Sequence, residues 1–133
     1  MKTIDELNFS SACKYAKDHE WIAVAAPYRV GVSDFAQDQL GDLTFVELPE
    51  VGREIGVGGE FGSLESIKSV STLYLPIAGK IVAVNEALQD DPGLVNRDPF
   101  GDGWLVEIEP VDVSQMSTLM DADTYKKHVE ENG

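Results

Sequence analysis

Short stretches of β-forming residues, separated by glycine and proline, dominate the chain. They predict strands over six segments, 20–25, 29–33, 43–48, 70–75, 80–84 and 103–109. In the last segment, alternation places Trp104, Val106 and Ile108 on one face and Leu105 on the other. Gly79 is expected in a turn with positive φ. Short strands with such punctuation favour a small barrel or sandwich.

Helix signals are fewer and local. A helix is predicted over 33–40, because Ser33 or Asp34 can accept hydrogen bonds at its start and Gly41 can end it. Residues 90–96 are expected to form one helical turn, with Pro92 near its start.

The two ends of the chain differ from the middle. Between Ile4 and Lys17 a short helix and an irregular arm are equally open. Near the C-terminus, apolar residues recur at helical spacing, and Asp123 is the expected cap of a last helix that buries Tyr125 and Val129. No linker or low-complexity tract interrupts the pattern, so residues 1–133 are predicted to form one domain.

Acidic residues outnumber basic residues by 24 to 10, which gives a net charge of −14. Such a surface repels phosphate backbones and anionic lipids, so neither nucleic-acid nor membrane binding is expected. The charge suits solubility and equally suits steering toward basic patches on partner proteins. The single cysteine, Cys13, and the lack of an apolar stretch near the N-terminus fit a cytoplasmic protein.

Catalytic and metal-binding patterns are missing from the sequence. His19 and His128 lie far apart, no histidine and cysteine residues have metal-ligand spacing, and the acids show no paired spacing. His19, close to Trp21, is interpreted as a capping or core histidine. No catalytic residue and no metal site are therefore predicted.

Lys68 is set apart by its position. It and Lys80 are the only lysines between Lys17 and Lys126, and it lies in Glu65-Ser-Ile-Lys-Ser69 between two strand-like stretches. If these stretches form a hairpin, Lys68 lies at or beside the tip, with its long stem in solvent. Position alone would still favour an ordinary surface lysine.

Short blocks around this lysine change that interpretation. They are Lys14-Tyr15, His19-Glu-Trp21, 30–37, 40–52, Glu65-Ser-Ile-Lys-Ser69, 74–79, 84–88, 92–96 and 99–105. In this order, from about Lys14 to Glu109, the blocks resemble the H protein of the glycine cleavage system. Glu-Ser-x-Lys alone would be a weak signal, whereas the ordered set is highly specific.

The resemblance implies a mainly β fold. The expected form is a flattened β-barrel or barrel-sandwich hybrid of the lipoyl-domain type, with short helices that include C-terminal helices. It also implies covalent lipoate on Lys68, with Glu65 as the acid recognised at the lipoylation site. Biotin carriers have Met on each side of their lysine, whereas Ile67 and Ser69 stand here, which favours lipoate.

The resemblance further implies a carrier that is not itself an enzyme, because its cofactor supplies the chemistry. It would take the aminomethyl group of glycine on lipoyl-Lys68 from glycine decarboxylase (P protein) to the aminomethyltransferase (T protein). Dihydrolipoamide dehydrogenase (L protein) would reoxidise it, and a lipoate ligase or a lipoyl/octanoyl transferase would attach the lipoate. The carrier is expected to be a monomer whose tether raises the effective concentration of the reacting group.

The family shelters the loaded arm in a cleft. By alignment the lining here would be Asp18, Glu20, Val32, Gln39 and Thr72. Ser is commoner at the first of these positions, His at the fourth and Asp at the fifth. Gln39 and Thr72 can hydrogen-bond to an amine but supply no charge, and Asp18 could substitute for one of them.

These departures keep two other hypotheses open. The first is an H-like paralogue that carries lipoate for another pathway, either sulfur-compound oxidation or a lipoate relay. The second is an unmodified interaction module in which Lys68 is an ordinary surface residue. Intact mass after treatment with a lipoate ligase separates the module from both carriers, and reconstitution with glycine decarboxylase tests the glycine carrier.

Overall fold

Two antiparallel sheets form the frame of the molecule in the computed structural model, which describes residues 2–132. The larger sheet has the strand order β1-β2-β3-β9-β8-β5, and the smaller has the order β4-β6-β7. The strands are β1 (Cys13–Tyr15), β2 (Glu20–Ala23), β3 (Tyr28–Val32), β4 (Leu43–Glu47), β5 (Glu54–Ile55), β6 (Glu60–Ser66), β7 (Val70–Tyr74), β8 (Gly79–Val84) and β9 (Val106–Pro110). Over the described residues the two sheets share no strand pairing, so the predicted barrel-sandwich hybrid is confirmed rather than a closed barrel.

Short helices connect and cover the sheets. They are α1 (Asp34–Leu40), α2 (Ala87–Asp90), α3 (Leu94–Arg97) and α4 (Ala122–Asn132), with 3-10 turns at Ile4–Glu6 and Val113–Thr118. Between residues 2 and 132, no helix is long and apolar enough to cross a membrane.

The predicted helix over 33–40 is confirmed at both ends. Ser33 is its N-cap, since its Oγ accepts a hydrogen bond from the Ala36 N–H at 3.1 Å. Gly41 ends the helix with a φ of 78°, a conformation that a residue without Cβ adopts at little cost. Because both signals are local chemistry, the sequence could place this helix correctly.

The helical turn predicted over 90–96 is confirmed, since the Pro92 carbonyl accepts the Val95 N–H at 3.2 Å and α3 follows at Leu94. Three details differ from the sequence predictions. The last strand begins at Val106, and Leu105 has no exposed surface. Gly79 pairs within β8 and has no positive φ. The first turn of α4 is capped by Asp121, which accepts from the Thr124 N–H, and not by Asp123.

Apolar side chains form two clusters. The main core fills the space between the sheets and includes Ile22, Leu64 and Leu73. A second cluster lies under α4 and the N-terminal segment, and its members are Leu7, Cys13, Tyr15, Trp21, Phe35, Tyr125 and Val129. The burial predicted for Tyr125 and Val129 is therefore confirmed, and α4 packs against β1 and the N-terminal 3-10 turn.

Gly31 on β3 allows a close approach that this second cluster needs. It pairs with Trp21 across the strands, and a Cβ at Gly31 would lie 2.6 Å from Trp21 Cζ2. The indole therefore lies flat against the bare backbone, where its N–H donates to the carbonyls of Val32 and Pro99 at 3.0 and 3.1 Å. Glycine inside a strand here serves packing.

Candidate functional site

Lys68 lies at the tip of a tight hairpin. Strands β6 and β7 pair as far as Glu65 and Val70, and the Ser66 N–H donates to the Ser69 carbonyl at 2.9 Å. The Ser69 N–H in turn donates to Ser66 Oγ at 3.2 Å. The two residues between them are therefore held out in solvent, where Lys68 is exposed and its neighbour Ile67 is 90% exposed.

The amine of Lys68 lies beside the end of α1. A Cβ on Gly41 would be 3.7 Å from Lys68 Cε and 4.0 Å from Nζ. The carbonyl end of a helix carries partial negative charge, which favours an ammonium group there. Lys68 is thus exposed at the turn while its amine points toward the small groove that begins at α1.

This groove, which we call the α1 groove, has a volume of about 270 Å³. It is formed by the turn before β2, by α1 and by strand β7. Its lining is Asp18, His19, Phe35, Ala36, Gln39, Leu40 and Ser71. Leu40 lines the groove and directly precedes Gly41, so the lysine amine lies near the end of the groove that α1 forms.

A second concavity of about 420 Å³ lies on the other side of Asp18, and we call it the Glu20 pocket. Its walls are largely apolar and include Val57, Leu75 and Leu119. Asp18 lines both concavities. The α1 groove and the Glu20 pocket are therefore neighbours that share Asp18.

Glu20 is the most unusual ionisable residue of the site. Its side chain is 2% exposed, Oε2 accepts the Tyr74 N–H at 3.0 Å, and Oε1 is buried with no hydrogen-bond partner among the described protein atoms. Burial raises the pKa of the Glu20 carboxyl to about 8, against the effect of the Tyr74 N–H and with a smaller contribution from the Asp18 charge. The carboxyl is consequently neutral at pH 7 while the pocket holds no cation.

The structure brings most of the predicted cleft residues together. Asp18 and Gln39 line the α1 groove, and Asp18 and Glu20 line the pocket. Val32 is the cross-strand partner of Glu20 and is buried beside it. Thr72 is half-buried on β7, next to the groove-lining Ser71 and two residues before the Tyr74 N–H that holds Glu20.

Glu65 lies away from the groove, on the outer face of the smaller sheet. Its cross-strand partners are Phe45 and Val70, and paired residues of antiparallel strands project to the same side. Phe45 is 46% and Val70 64% exposed. An acidic side chain between two exposed apolar ones therefore stands directly below the hairpin tip, where a protein that acts on Lys68 would contact it.

One polar cluster at the groove was missed by the sequence analysis. His19 and His128, from opposite ends of the chain, have ring centroids 6.0 Å apart. His19 Nδ1 is 2.7 Å from the hydroxyl of Tyr125, which is 2.6 Å from Ser33 Oγ. No sequence signal links these positions, because α4 meets β2 only through tertiary packing.

His19 also has a strained backbone. Its φ is 80°, which costs a non-glycine residue about 1 kcal/mol. The His19 N–H donates to the Ala16 carbonyl at 3.0 Å, and its own carbonyl accepts the Ser33 N–H at 2.9 Å. Burial lowers the pKa of His19, His128 lowers it further, and Asp18 opposes both. The turn that presents Asp18 and Glu20 is thus fixed by a neutral histidine.

Comparisons with known proteins agree on one family. The model of the family described as glycine cleavage H-protein matches residues 13–132. A glycine cleavage system H protein of Coprothermobacter proteolyticus is 52% identical over 120 residues, which are 89% of this chain and 94% of that protein. One of Halalkalibacterium halodurans is 49% identical over 125 residues, 93% of this chain and 98% of that protein.

Solved structures give the same result. The crystal structure of a glycine cleavage system H protein from Mycobacterium marinum superposes with a TM-score of 0.83 at 41% identity. The match covers 91% of this chain and 98% of the other. The likeness therefore extends over both sheets and not only over the hairpin.

Proposed function

The chain belongs to the glycine cleavage H-protein family, and from this premise we propose that it is the lipoyl carrier of the glycine cleavage system, with lipoate on Lys68. The observation that carries the assignment of the lysine is the exposed hairpin tip with its amine beside the end of α1, the helix that lines the α1 groove. A lysine on a rigid turn can be modified without an ordering cost.

The residues present fit a lipoyl group. The groove has apolar walls from Phe35, Ala36 and Leu40, which suit an alkyl chain and a dithiolane ring. Farther from Lys68, the polar groups Asp18 and Glu20 suit an amine. When bound, the lipoyl group supplies a disulfide that accepts the aminomethyl group of glycine and later, as a dithiol, is reoxidised.

Glu20 holds a proton in the unloaded carrier. An ammonium group that enters the pocket favours the carboxylate, so Glu20 would release this proton to solvent and pair with the amine through Oε1. Asp18 supplies a second negative charge at the boundary with the groove. Gln39 can add a hydrogen bond from the α1 groove. The loaded arm is thereby kept from water between partners.

Partner choice rests on the hairpin and on surface charge. We propose that the P, T and L proteins and the enzyme that attaches lipoate all approach Lys68, and that Glu65 between Phe45 and Val70 is read by the attaching enzyme. The net charge of −14 would steer the carrier toward basic surfaces on these partners. We also propose that residues 1–133 work as one monomeric, non-catalytic domain in the cytoplasm, which suits a buried unpaired Cys13.

The paralogue hypothesis is not favoured. The relatives that match at 47–52% identity are named glycine cleavage system H protein, and Glu20 keeps an ionisable partner for an amine. Gln39 then modifies the groove without changing the cargo.

Reconstitution tests the function directly. Wild-type protein lipoylated in vitro should support exchange of labelled bicarbonate into glycine by a glycine decarboxylase, and peptide mapping should place the adduct on Lys68. Lys80→Arg is the matched control, because Lys80 is an exposed lysine on β8 that pairs across the sheet, and it should keep full exchange. Complete lipoylation of Lys68 without any exchange would contradict the glycine carrier and support the paralogue.

A further inference from the structure

Three elements of the fold meet at one buried hydroxyl. Tyr125 comes from α4 and has no exposed surface. Its hydroxyl contacts His19 Nδ1 at 2.7 Å, in the turn before β2, and Ser33 Oγ at 2.6 Å. Ser33 Oγ also accepts the Ala36 N–H that starts α1. The turn and α1 both line the α1 groove, and this contact connects α4 to them.

The direction of these hydrogen bonds depends on His19. When His19 is neutral with Nδ1 as acceptor, Ser33 donates to Tyr125 and Tyr125 donates to Nδ1, so every proton has an acceptor. When His19 is protonated, Nδ1 must donate, and the Tyr125 proton turns toward Ser33 Oγ. The Ser33 proton then loses the acceptor it had, in a site with no exposed surface.

The surroundings of His19 also favour the neutral form. His128 faces it from α4 and the apolar Phe35 faces it from α1, with ring centroids 6.0 and 5.0 Å from its own. Asp18 and Glu20 on its own turn are the acidic neighbours, and only Asp18 is exposed. Burial raises the pKa of Tyr125, so the tyrosine stays a neutral hydroxyl and His19 is the member that titrates.

We propose that Tyr125 is a positioning residue for the α1 groove, acting through neutral His19 to fix the turn that presents Asp18 and Glu20. Proton uptake by His19 reverses the hydrogen bond, frees the turn with its left-handed residue and loosens α4. The inference rests on the proposed function in one respect, namely that the groove holds the lipoyl arm. Retention of the arm should therefore weaken as the pH falls below the ordinary histidine pKa of 6.5.

The test compares wild type with Tyr125→Phe in the full chain. Phenylalanine keeps the stack of Tyr125 on Tyr15, whose ring centroids are 4.4 Å apart. Tyr15→Phe is the matched control, because it removes the other hydroxyl of the stack, which donates to the Ser10 carbonyl and not to His19. Hydrogen-exchange protection factors of α4 and of the turn at 17–20 are measured on unlipoylated protein from pH 5 to pH 8, with each histidine followed by NMR.

In wild type, the protection factors should fall about three- to tenfold on acidification. The midpoint of this fall should coincide with the midpoint of the His19 titration. In Tyr125→Phe, protection should already be lower at pH 8 and should lack the fall that follows the His19 titration, whereas Tyr15→Phe should keep the wild-type response. If Tyr125→Phe does not fold, the wild-type protein alone tests the proposal. Loss of protection that coincides with the His19 titration would support it, and loss at another pH would overturn it. Equal pH responses in wild type and Tyr125→Phe would overturn the proposal.

A second measurement connects the contact to the arm. After lipoylation, reduction of the lipoyl disulfide by a water-soluble phosphine should be several-fold faster in Tyr125→Phe than in wild type at pH 8, and wild type should approach that rate at pH 5.5. Identical rates in both proteins would overturn the positioning role. Failure of lipoylation, seen by intact mass, would instead refute the proposed function. The hydrogen-exchange result on the unlipoylated chain would then still test the role of the His19–Tyr125 contact.

Discussion

Replacement of Glu20 by glutamine should stabilise the protein while weakening the carrier. The native carboxyl has a pKa of about 8 against an ordinary 4.5, so between these values the native state binds more protons than the unfolded state. Stability from the protonated carboxyl is complete below pH 4.5 and is lost as the pH rises through 8. From pH 5 to pH 8 this linkage amounts to about 3 kcal/mol, and the amide of a glutamine at this position cannot contribute to it.

The assay is urea unfolding of wild type and Glu20→Gln at pH 5, 6.5 and 8. The difference in unfolding free energy should move in favour of the variant by about 3 kcal/mol over this range, or about 10 °C in Tm. The His19 titration occurs in both proteins and cancels in the difference. Glu47→Gln, an exposed position on β4 with the same charge change, should show almost no dependence on pH.

Function should change in the opposite direction. Glu20→Gln should be lipoylated normally, since the hairpin is untouched, but should release formaldehyde and ammonia faster after loading with the aminomethyl group. An ion contact in a partly shielded pocket contributes on the order of 1 kcal/mol. A stability difference that does not change with pH would refute the neutral buried carboxyl, and unchanged release would refute its role toward the amine.

Three other substitutions test the site and the frame. Lys68→Arg should fold as wild type and lose all lipoylation by intact mass, because a guanidinium cannot form the amide; an adduct that persists would contradict the assignment. Gly31→Ala should lower stability by about 2 kcal/mol in calorimetry, because its Cβ would come 2.6 Å from the Trp21 ring, and wild-type stability would contradict that packing. Gly79→Val should destabilise through contact with Ile108 Cδ1, 2.9 Å from a Cβ at that position, and normal stability would show that β8 shifts freely.

Local chemistry made part of this molecule predictable. The caps Ser33 and Gly41 fixed the ends of α1, and the turn around Lys68 followed from two strand-like stretches with a short polar link. By contrast, the cap of α4 was predicted at Asp123 but lies at Asp121. The start of this helix depends on how the preceding segment is placed in the fold. His19 and His128 are far apart in the sequence, and tertiary packing in the second cluster brings their rings together.

The sequence named candidate residues for the site, but it could not indicate how deeply they are buried. The resemblance located Asp18, Glu20 and Gln39, and the structure gathers them along α1 and β2. The burial of Glu20 and the missing partner of its Oε1 among the described atoms depend on Tyr74 from the other sheet. Such a tertiary environment, and the raised pKa that follows from it, leaves no trace in the local sequence.

The separation of the two sheets places the attachment lysine and the buried carboxyl on different halves of the frame. Lys68 and Glu65 belong to the smaller sheet and Glu20 to the larger, and these sheets share no strand pairing between residues 2 and 132. Their spacing is therefore set by interdigitated side chains and by contacts such as the hydrogen bond from the Tyr74 N–H to Glu20. A substitution that shifts either sheet therefore also moves the lysine relative to the buried carboxyl, so the reach required of the arm is set by the core between the sheets.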